Sequence, residues 1–120
     1  MEPGANVDLY DIDTLLSKEE ITVREMVRAF VDQECMPVIA GHFDKATFPQ
    51  PLIPRMAELG LFGLHVDGYG CNRNSHIVYG LICQELSRCD SGLRALFSVQ
   101  NSLVMFPIYE FGSKKQRQQW

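Results

Sequence analysis

The chain has 120 residues and 13.6 kDa, room for one compact domain of the usual 100–200 residues and no second folded unit. Hydrophobic residues at 46% and charged residues at 22% exclude a disordered or collagen-like chain. Eleven basic against fifteen acidic residues leave a net charge of −4 and no footprint for a phosphate backbone or anionic lipid, so nucleic acid is not an expected partner.

Residues 1–16 hold Pro3, Gly4 and several carboxylates without a sustained period and are expected to form an arm, with the folded domain over residues 17–120. The arm lacks the basic and apolar regions of a secretory signal, which points to a reducing compartment. Ser17-Lys18-Glu19-Glu20 has the form of a capping box, in which serine oxygen and glutamate carboxylate each satisfy an orphaned backbone N–H, and a helix is expected to start there. Val23, Met26, Val27, Phe30 and Val31 follow at i, i+3, i+4, i+7 and i+8, with Arg24, Glu25, Arg28 and Asp32 on the opposite side. Pro37 disfavours helix at Met36 and marks a boundary or kink, after which Val38, Ile39 and Phe43 continue a turn or two. A second helix is expected from Pro49 or Pro51 through Leu52, Ile53, Met56, Ala57 and Leu59, stopping at Gly60 in the left-handed position past the helix end. Residues 64–74, with Gly68, Gly70 and Asn72, read as a loop.

Asn74 or Ser75 caps a third helix running to about Cys89, whose apolar run over residues 77–83 predicts a position deep between neighbours. Ser91 is expected to open a fourth helix over about residues 92–106, which Pro107 bends or interrupts before Gly112 ends the region. Ser113 caps a fifth helix that looks cut at Trp120. The longest uncharged stretch, residues 95–109, is 15 residues long and carries polar side chains and Pro107, short of the roughly 20 apolar residues of a membrane span. No strand signal matches these helical ones, and the expected fold class is all-α, an antiparallel helical bundle.

Most candidate chemistry dissolves on inspection. Cys35, Cys71, Cys83 and Cys89 form no CxxC pair and stand near no matching His pair, so four free thiols and no metal are expected. His42, His65 and His76 are scattered singly, and Gly68-Tyr69-Gly70 lacks the preceding strand of a phosphate loop. Glu85 has the makings of a base, although a paired helix carboxylate is the commoner case. The fourth helix differs: Ser91, Arg94, Ser98 and Asn101 or Ser102 recur on one side of an otherwise apolar helix. Arginine's planar fork of donors suits a carboxylate or phosphate, and a serine one turn on adds a donor for the same anion. Against this stands Asp90, four residues before Arg94, where an i,i+4 ion pair accounts for the arginine without any ligand.

Residues 79–94, YGLICQELSRCDSGLR, and 98–113, SVQNSLVMFPIYEFGS, resemble the N-terminal helical domain of the acyl-CoA dehydrogenase family, within it most closely the glutaryl-CoA dehydrogenase branch. MAELGLFG at 56–63 and GYGC at 68–71 agree, and the resemblance runs from about Leu9 to Trp120. It implies an FAD flavoenzyme in which a helical domain like this one is followed by a middle β-domain and a C-terminal helical domain that supplies the catalytic glutamate. It implies an acyl-CoA substrate, glutaryl-CoA above all, an α-proton taken by that glutamate, a β-hydride passed to the flavin, and in glutaryl-type members loss of CO₂. A homo-oligomer, a tetramer when complete, and a cytoplasmic or mitochondrial-matrix location are further implications.

No catalytic base is assigned within the 120 residues, and the main flavin-binding segments lie outside them. The part that transfers is recognition of the substrate's far carboxylate, by Arg94 with Ser98 one turn later. Three departures from the family pattern stand out: Ser87 where glutamate is common, Ala95 where serine is common, and the pair Lys114 and Lys115 where acidic residues are usual at the positive end of a helix dipole. The chain alone is expected to be inactive and to self-associate through apolar surface its partner domains would cover. The alternatives are a free-standing or relic helical interaction module, or a family member of different acyl specificity.

Overall fold

A computed structural model describes residues 9–120, so the first half of the expected arm lies outside the described residues. The described remainder of the arm carries a 3-10 turn, Ile12–Leu15, tied to the first helix by Asp13, whose carboxylate pairs with Arg24. Helix α1 (Lys18–Phe30) starts at the expected capping box: Ser17 Oγ accepts the Glu20 N–H (3.2 Å) and Glu20 Oε2 accepts the Ser17 N–H (2.8 Å).

Pro37 does not end the helix. The backbone widens into a π turn, Val31–Cys35, in which the Met36 N–H bonds to the Val31 carbonyl five residues back, and then continues as α2 (Met36–Asp44). Proline brings no N–H and its ring crowds the carbonyl four residues earlier, and a π turn relieves both. The same device recurs at Pro107, where the expected fourth helix is α5 (Ser91–Val99), then a π turn, Gln100–Met105, closed by Phe106 N–H on the Asn101 carbonyl, then α6 (Phe106–Phe111). The proline displaces the hydrogen-bond ladder by one residue and the axis runs on to Gly112.

Between them, α3 (Leu52–Glu58) ends at Gly60 with φ +71°, as expected of a left-handed stop, and α4 (His76–Cys89) begins at Ser75, whose Oγ accepts the Val78 N–H. Gly63 turns the connecting loop at φ +83°, and a Cβ there would lie 2.3 Å from Cys71 Sγ. Ser113 and Gln116 form a second capping box for α7 (Lys114–Gln119). Among the described residues the β content is one isolated bridge, Gly68 to Cys71, and the fold is all-α.

Helix α4 lies between α1 and α5, and the core is built where the three meet: Val27, Phe30 and Val31 against Val78, Ile82 and Leu86, with Leu93 and Phe97 closing from α5 and Met56 from α3. As expected, α4 sits between neighbours, although one side stays open: Ile77 and Gly80 are exposed while Val78, Leu81 and Ile82 are buried. The molecule is flat, with extents of 58 × 40 × 19 Å. Its radius of gyration is 16.0 Å, against about 14 Å for a compact domain of this length. Along α5, its π turn and α6, Val99, Leu103 and Phe106 remain exposed.

Candidate site on helix α5

Arg94 stands out by what it lacks. Among the described residues, the other six arginines all bond to carboxylates or carbonyls: Arg24, Arg28, Arg55, Arg73 and Arg88 to Asp or Glu side chains, Arg117 to the Gly112 and Glu110 carbonyls. The half-buried Arg94 side chain has no such partner among the described residues. Every buried side-chain nitrogen or oxygen there is satisfied, so the unpartnered guanidinium nitrogens reach solvent and are not sealed in the core.

The competing explanation through Asp90 fails for a definite reason. Its carboxylate is the N-cap of α5: Asp90 Oδ1 accepts the Leu93 N–H at 2.9 Å, and Asp90, not Ser91, opens the helix. A carboxylate folded back onto the first turn is no longer presented to the residue four positions on, and no Asp90–Arg94 ion pair forms.

One turn along from Arg94, Ser98 Oγ accepts a hydrogen bond from the Tyr79 hydroxyl on α4 (3.0 Å). The Tyr79 ring is held between two others, 5.0 Å from Phe97 and 5.0 Å from His65, centroid to centroid. Because α4 and α5 run antiparallel, Tyr79 opposite Ser98 puts Cys83 opposite Arg94. Burial pushes the Cys83 thiol up from its ordinary pKa, while hydrogen bonding to Tyr79 and the charge of Arg94 pull it the other way.

The rest of the predicted polar stripe divides. Asn101 is fully buried and spent on the fold: its Oδ1 accepts the Gly63 and Leu64 N–H groups (2.8 and 3.0 Å), and its amide donates to the Leu61 and Phe97 carbonyls. Ser102 Oγ donates to the Ser98 carbonyl at 2.6 Å, a bond internal to the helix, and Ser91 is exposed. Arg94 and Ser98 remain as the half-buried polar pair whose side chains are not spent on the helix's own backbone or on the 61–64 loop.

Glu85 is a structural anion. It is buried, 2% exposed, with Oε1 accepting from Arg28 Nη2 (2.7 Å) and Nε (3.2 Å), and Oε2 from Arg88 Nε (3.1 Å). His65 and His76 are not scattered: their ring centroids lie 5.4 Å apart at the start of α4, a contact between residues separated in sequence by the loop 66–75 that no local spacing announces. Desolvation, followed by the charges of His76 and Arg73, holds His65 below the ordinary histidine pKa. All four cysteines are free thiols; burial pushes Cys35 up to about 12 and also raises Cys89, which makes neither a nucleophile. No group of three or more His, Cys, Asp or Glu among the described residues is arranged to hold a metal.

Two clefts open elsewhere. One, of about 380 Å³, lies between the 66–71 loop and the α6–α7 end, lined by Val66, Tyr69, Cys71, Met105, Tyr109 and Arg117 among others. The other, of about 400 Å³, flanks Pro107, Phe111 and Trp120. Arg94 and Ser98 line neither. No helix among the described residues is long and apolar enough to cross a membrane.

Comparison with known proteins follows the same outline. The family profile described as "Acyl-CoA dehydrogenase, N-terminal domain" matches residues 17–120. The mitochondrial short-chain specific acyl-CoA dehydrogenase of Bos taurus is 33% identical over 102 residues, covering 82% of this chain and 24% of that protein. The probable acyl-CoA dehydrogenase YngJ of Bacillus subtilis (strain 168) is 34% identical over 105 residues, covering 86% of this chain and 27% of that protein. Among solved structures, glutaryl-CoA dehydrogenase from Mycobacterium smegmatis superposes with a TM-score of 0.89 at 45% identity, covering 94% of this chain and 30% of that one. A glutaryl-CoA dehydrogenase from Mycobacterium smegmatis in complex with FADH2 gives 0.90 at 44% identity, covering 93% of this chain and 29% of that one. The chain thus spans about a quarter of the length of the curated relatives it matches.

Proposed function

Because this chain belongs to the acyl-CoA dehydrogenase family, we propose that it forms one wall of the acyl pocket of an FAD-dependent dehydrogenase acting on a dicarboxylic acyl thioester of the glutaryl-CoA type. The observation that carries the reading is the guanidinium of Arg94, unpaired among the described residues. A cation that folding leaves without a counter-ion is free to take one from a ligand, and its planar fork pairs two N–H groups with the two oxygens of a carboxylate. Ser98, one turn away, adds a hydroxyl to the same anion. A substrate ending in a methyl group gives these side chains nothing to bind. The 44–45% identity to glutaryl-CoA dehydrogenase, against 33–34% to the short-chain and YngJ enzymes, supports the same branch.

The described residues hold back no buried unpartnered polar group for a flavin, which fits a cofactor held chiefly by segments outside this chain. When bound, FAD supplies the acceptor for the hydride. The chain's own contribution is to fix the far end of the acyl group, so that the carbons to be oxidised fall in one register, and to exclude water with the apolar surface of Val99, Leu103 and Phe106 once the remaining domains cover it. Dehydrogenation is the reaction proposed. For the loss of CO₂ that glutaryl-type enzymes add, Ser87 is exposed and brings no carboxylate where the resemblance expects glutamate.

The test is a substrate comparison in the full-length protein between glutaryl-CoA and pentanoyl-CoA, which differ by a terminal carboxylate in place of methyl. Arg94→Ala is expected to lower kcat/KM for glutaryl-CoA by about 100-fold, the scale of a lost charge-assisted pairing, and to leave pentanoyl-CoA within about threefold. Equal losses on both substrates, no loss on either, or a full-length protein that oxidises no acyl-CoA would each defeat the reading.

A further inference from the structure

We infer that Tyr79 is a positioning residue for substrate specificity: by donating its own proton to Ser98 Oγ across the α4–α5 seam, it obliges Ser98 to present its proton to the carboxylate held by Arg94. The inference rests on the proposed role of Arg94 and extends it to a residue on a second helix.

A serine within a helix commonly turns its hydroxyl back to the carbonyl four residues earlier, which would waste it as a donor. Ser102 does this, donating to the Ser98 carbonyl at 2.6 Å. Ser98 instead meets the Tyr79 hydroxyl at 3.0 Å. Of the two hydroxyls the phenol is the stronger acid and the better donor, and the Cys83 thiol that also neighbours it, kept neutral by burial, is a weaker acceptor than a hydroxyl oxygen, so the Tyr79 proton goes to Ser98 and occupies an acceptor site on Oγ. The serine proton is then directed away from Tyr79, toward the face on which Arg94 stands unpaired one turn back. Tyr79 itself has little freedom to move: its ring lies between Phe97 and His65, each 5.0 Å away and inclined by 34° and 35°. The arrangement is a relay of orientation, from a clamped aromatic ring to a hydroxyl to a second hydroxyl to the ligand. Tyr79 touches neither the substrate nor the reacting carbons.

The experiment compares Tyr79→Phe, Ser98→Ala, the double variant and Arg94→Ala in the full-length protein, each with glutaryl-CoA and pentanoyl-CoA. Tyr79→Phe keeps the stacked ring and deletes one oxygen, so the fold is preserved. It is expected to raise KM for glutaryl-CoA about three- to tenfold, the scale of a weakened hydrogen bond to a charged group, with kcat changed less than about twofold and both constants for pentanoyl-CoA unaltered. Ser98→Ala is expected to do the same, and the double variant to be no worse than Ser98→Ala alone, because Tyr79 acts through Ser98. An unchanged KM in Tyr79→Phe, a parallel rise for both substrates, or additive losses in the double variant would overturn the inference. If Arg94→Ala abolishes the preference for glutaryl-CoA while Tyr79→Phe leaves it intact, the positioning role alone fails; if Arg94→Ala leaves the preference intact, the reading beneath it fails as well.

Discussion

Helix α4 has an ionised neighbour on each flank, and the two flanks treat charge in opposite ways. Toward α1, the buried carboxylate of Glu85 is met by Arg28 and Arg88, Arg28 is shared with Glu25, and Arg88 reaches on to Asp32 at 2.7 Å, so each charge of the network has its counter-charge. Toward α5, Arg94 has no counter-charge among the described residues, and the seam is joined by two hydroxyls, Tyr79 and Ser98. Burial explains the contrast. A carboxylate that is 2% exposed cannot keep its charge without partners, whereas a half-buried guanidinium that reaches solvent can. Along α4, the buried charge that folding requires is closed into a network, while Arg94 on the α5 flank is left available to a ligand.

The comparison breaks most visibly at Glu85. Glu85→Gln leaves two guanidinium groups around a neutral amide, and removing one member of a buried pair costs about 3–5 kcal/mol. Since Arg28 and Arg88 keep 31% and 41% of their side-chain surface, water recovers part of the loss and about 2–3 kcal/mol is expected, read from the urea midpoint at constant m-value. A change under about 0.5 kcal/mol would mean that the α1 flank holds its charge without needing the network.

The other flank predicts the opposite. Arg94→Met keeps an unbranched stem for packing and deletes a charge that has no ion-pair partner among the described residues, so stability is expected to stay within about 0.5 kcal/mol of the parent. A loss above about 1.5 kcal/mol would give Arg94 a structural role and remove the contrast on which its assignment as a ligand-binding group rests. Together the two variants separate the flanks: one substitution strikes the fold, and the other strikes recognition alone.

How much of this was legible in the residues depends on whether each choice is local. The caps at Ser17, Ser75 and Ser113 and the stop at Gly60 involve atoms within a few residues of one another, and the helices begin and end where those signals stand. The two prolines were legible as disturbances but not in kind, because a kink and a π turn satisfy the same steric demand and the surrounding packing selects between them. The resemblance singled out Arg94, yet spacing alone left it ambiguous: Asp90 can cap a helix or pair with the residue four on, and its backbone decided for the cap. Asn101 belonged to the same polar stripe and turned out to clamp the 61–64 loop, a role that depends on residues about 40 positions away. Tyr79 and the His65–His76 contact were invisible for the same reason, since their partners come from other segments.

Acidification separates the flanks once more, by the smallest effect of the three. On the α5 side, desolvation and the nearby charges of His76 and Arg73 hold His65 below its ordinary pKa of 6.5, so the fold disfavours its protonated form. With the folded pKa below the unfolded one, the unfolded chain binds more protons through that interval; stability is full above pH 6.5 and declines as pH falls toward the folded pKa. On the α1 side the sign is the same but the window is lower: Arg24 holds Asp13 below 3.8 and Arg55 holds Glu34 below 4.5, so their contributions persist until the medium is more acidic than those values. A melting curve followed downward from pH 7.5 should therefore fall in two stages, a shallow one starting near pH 6.5 and a steeper one below about pH 4.5. His65→Phe, which keeps a ring against Tyr79 but cannot be protonated, should flatten the first stage and leave the second in place. If the first stage survives that substitution, another group on the α5 flank titrates there, and the neutral ring stack that holds Tyr79 is not the element acid disturbs.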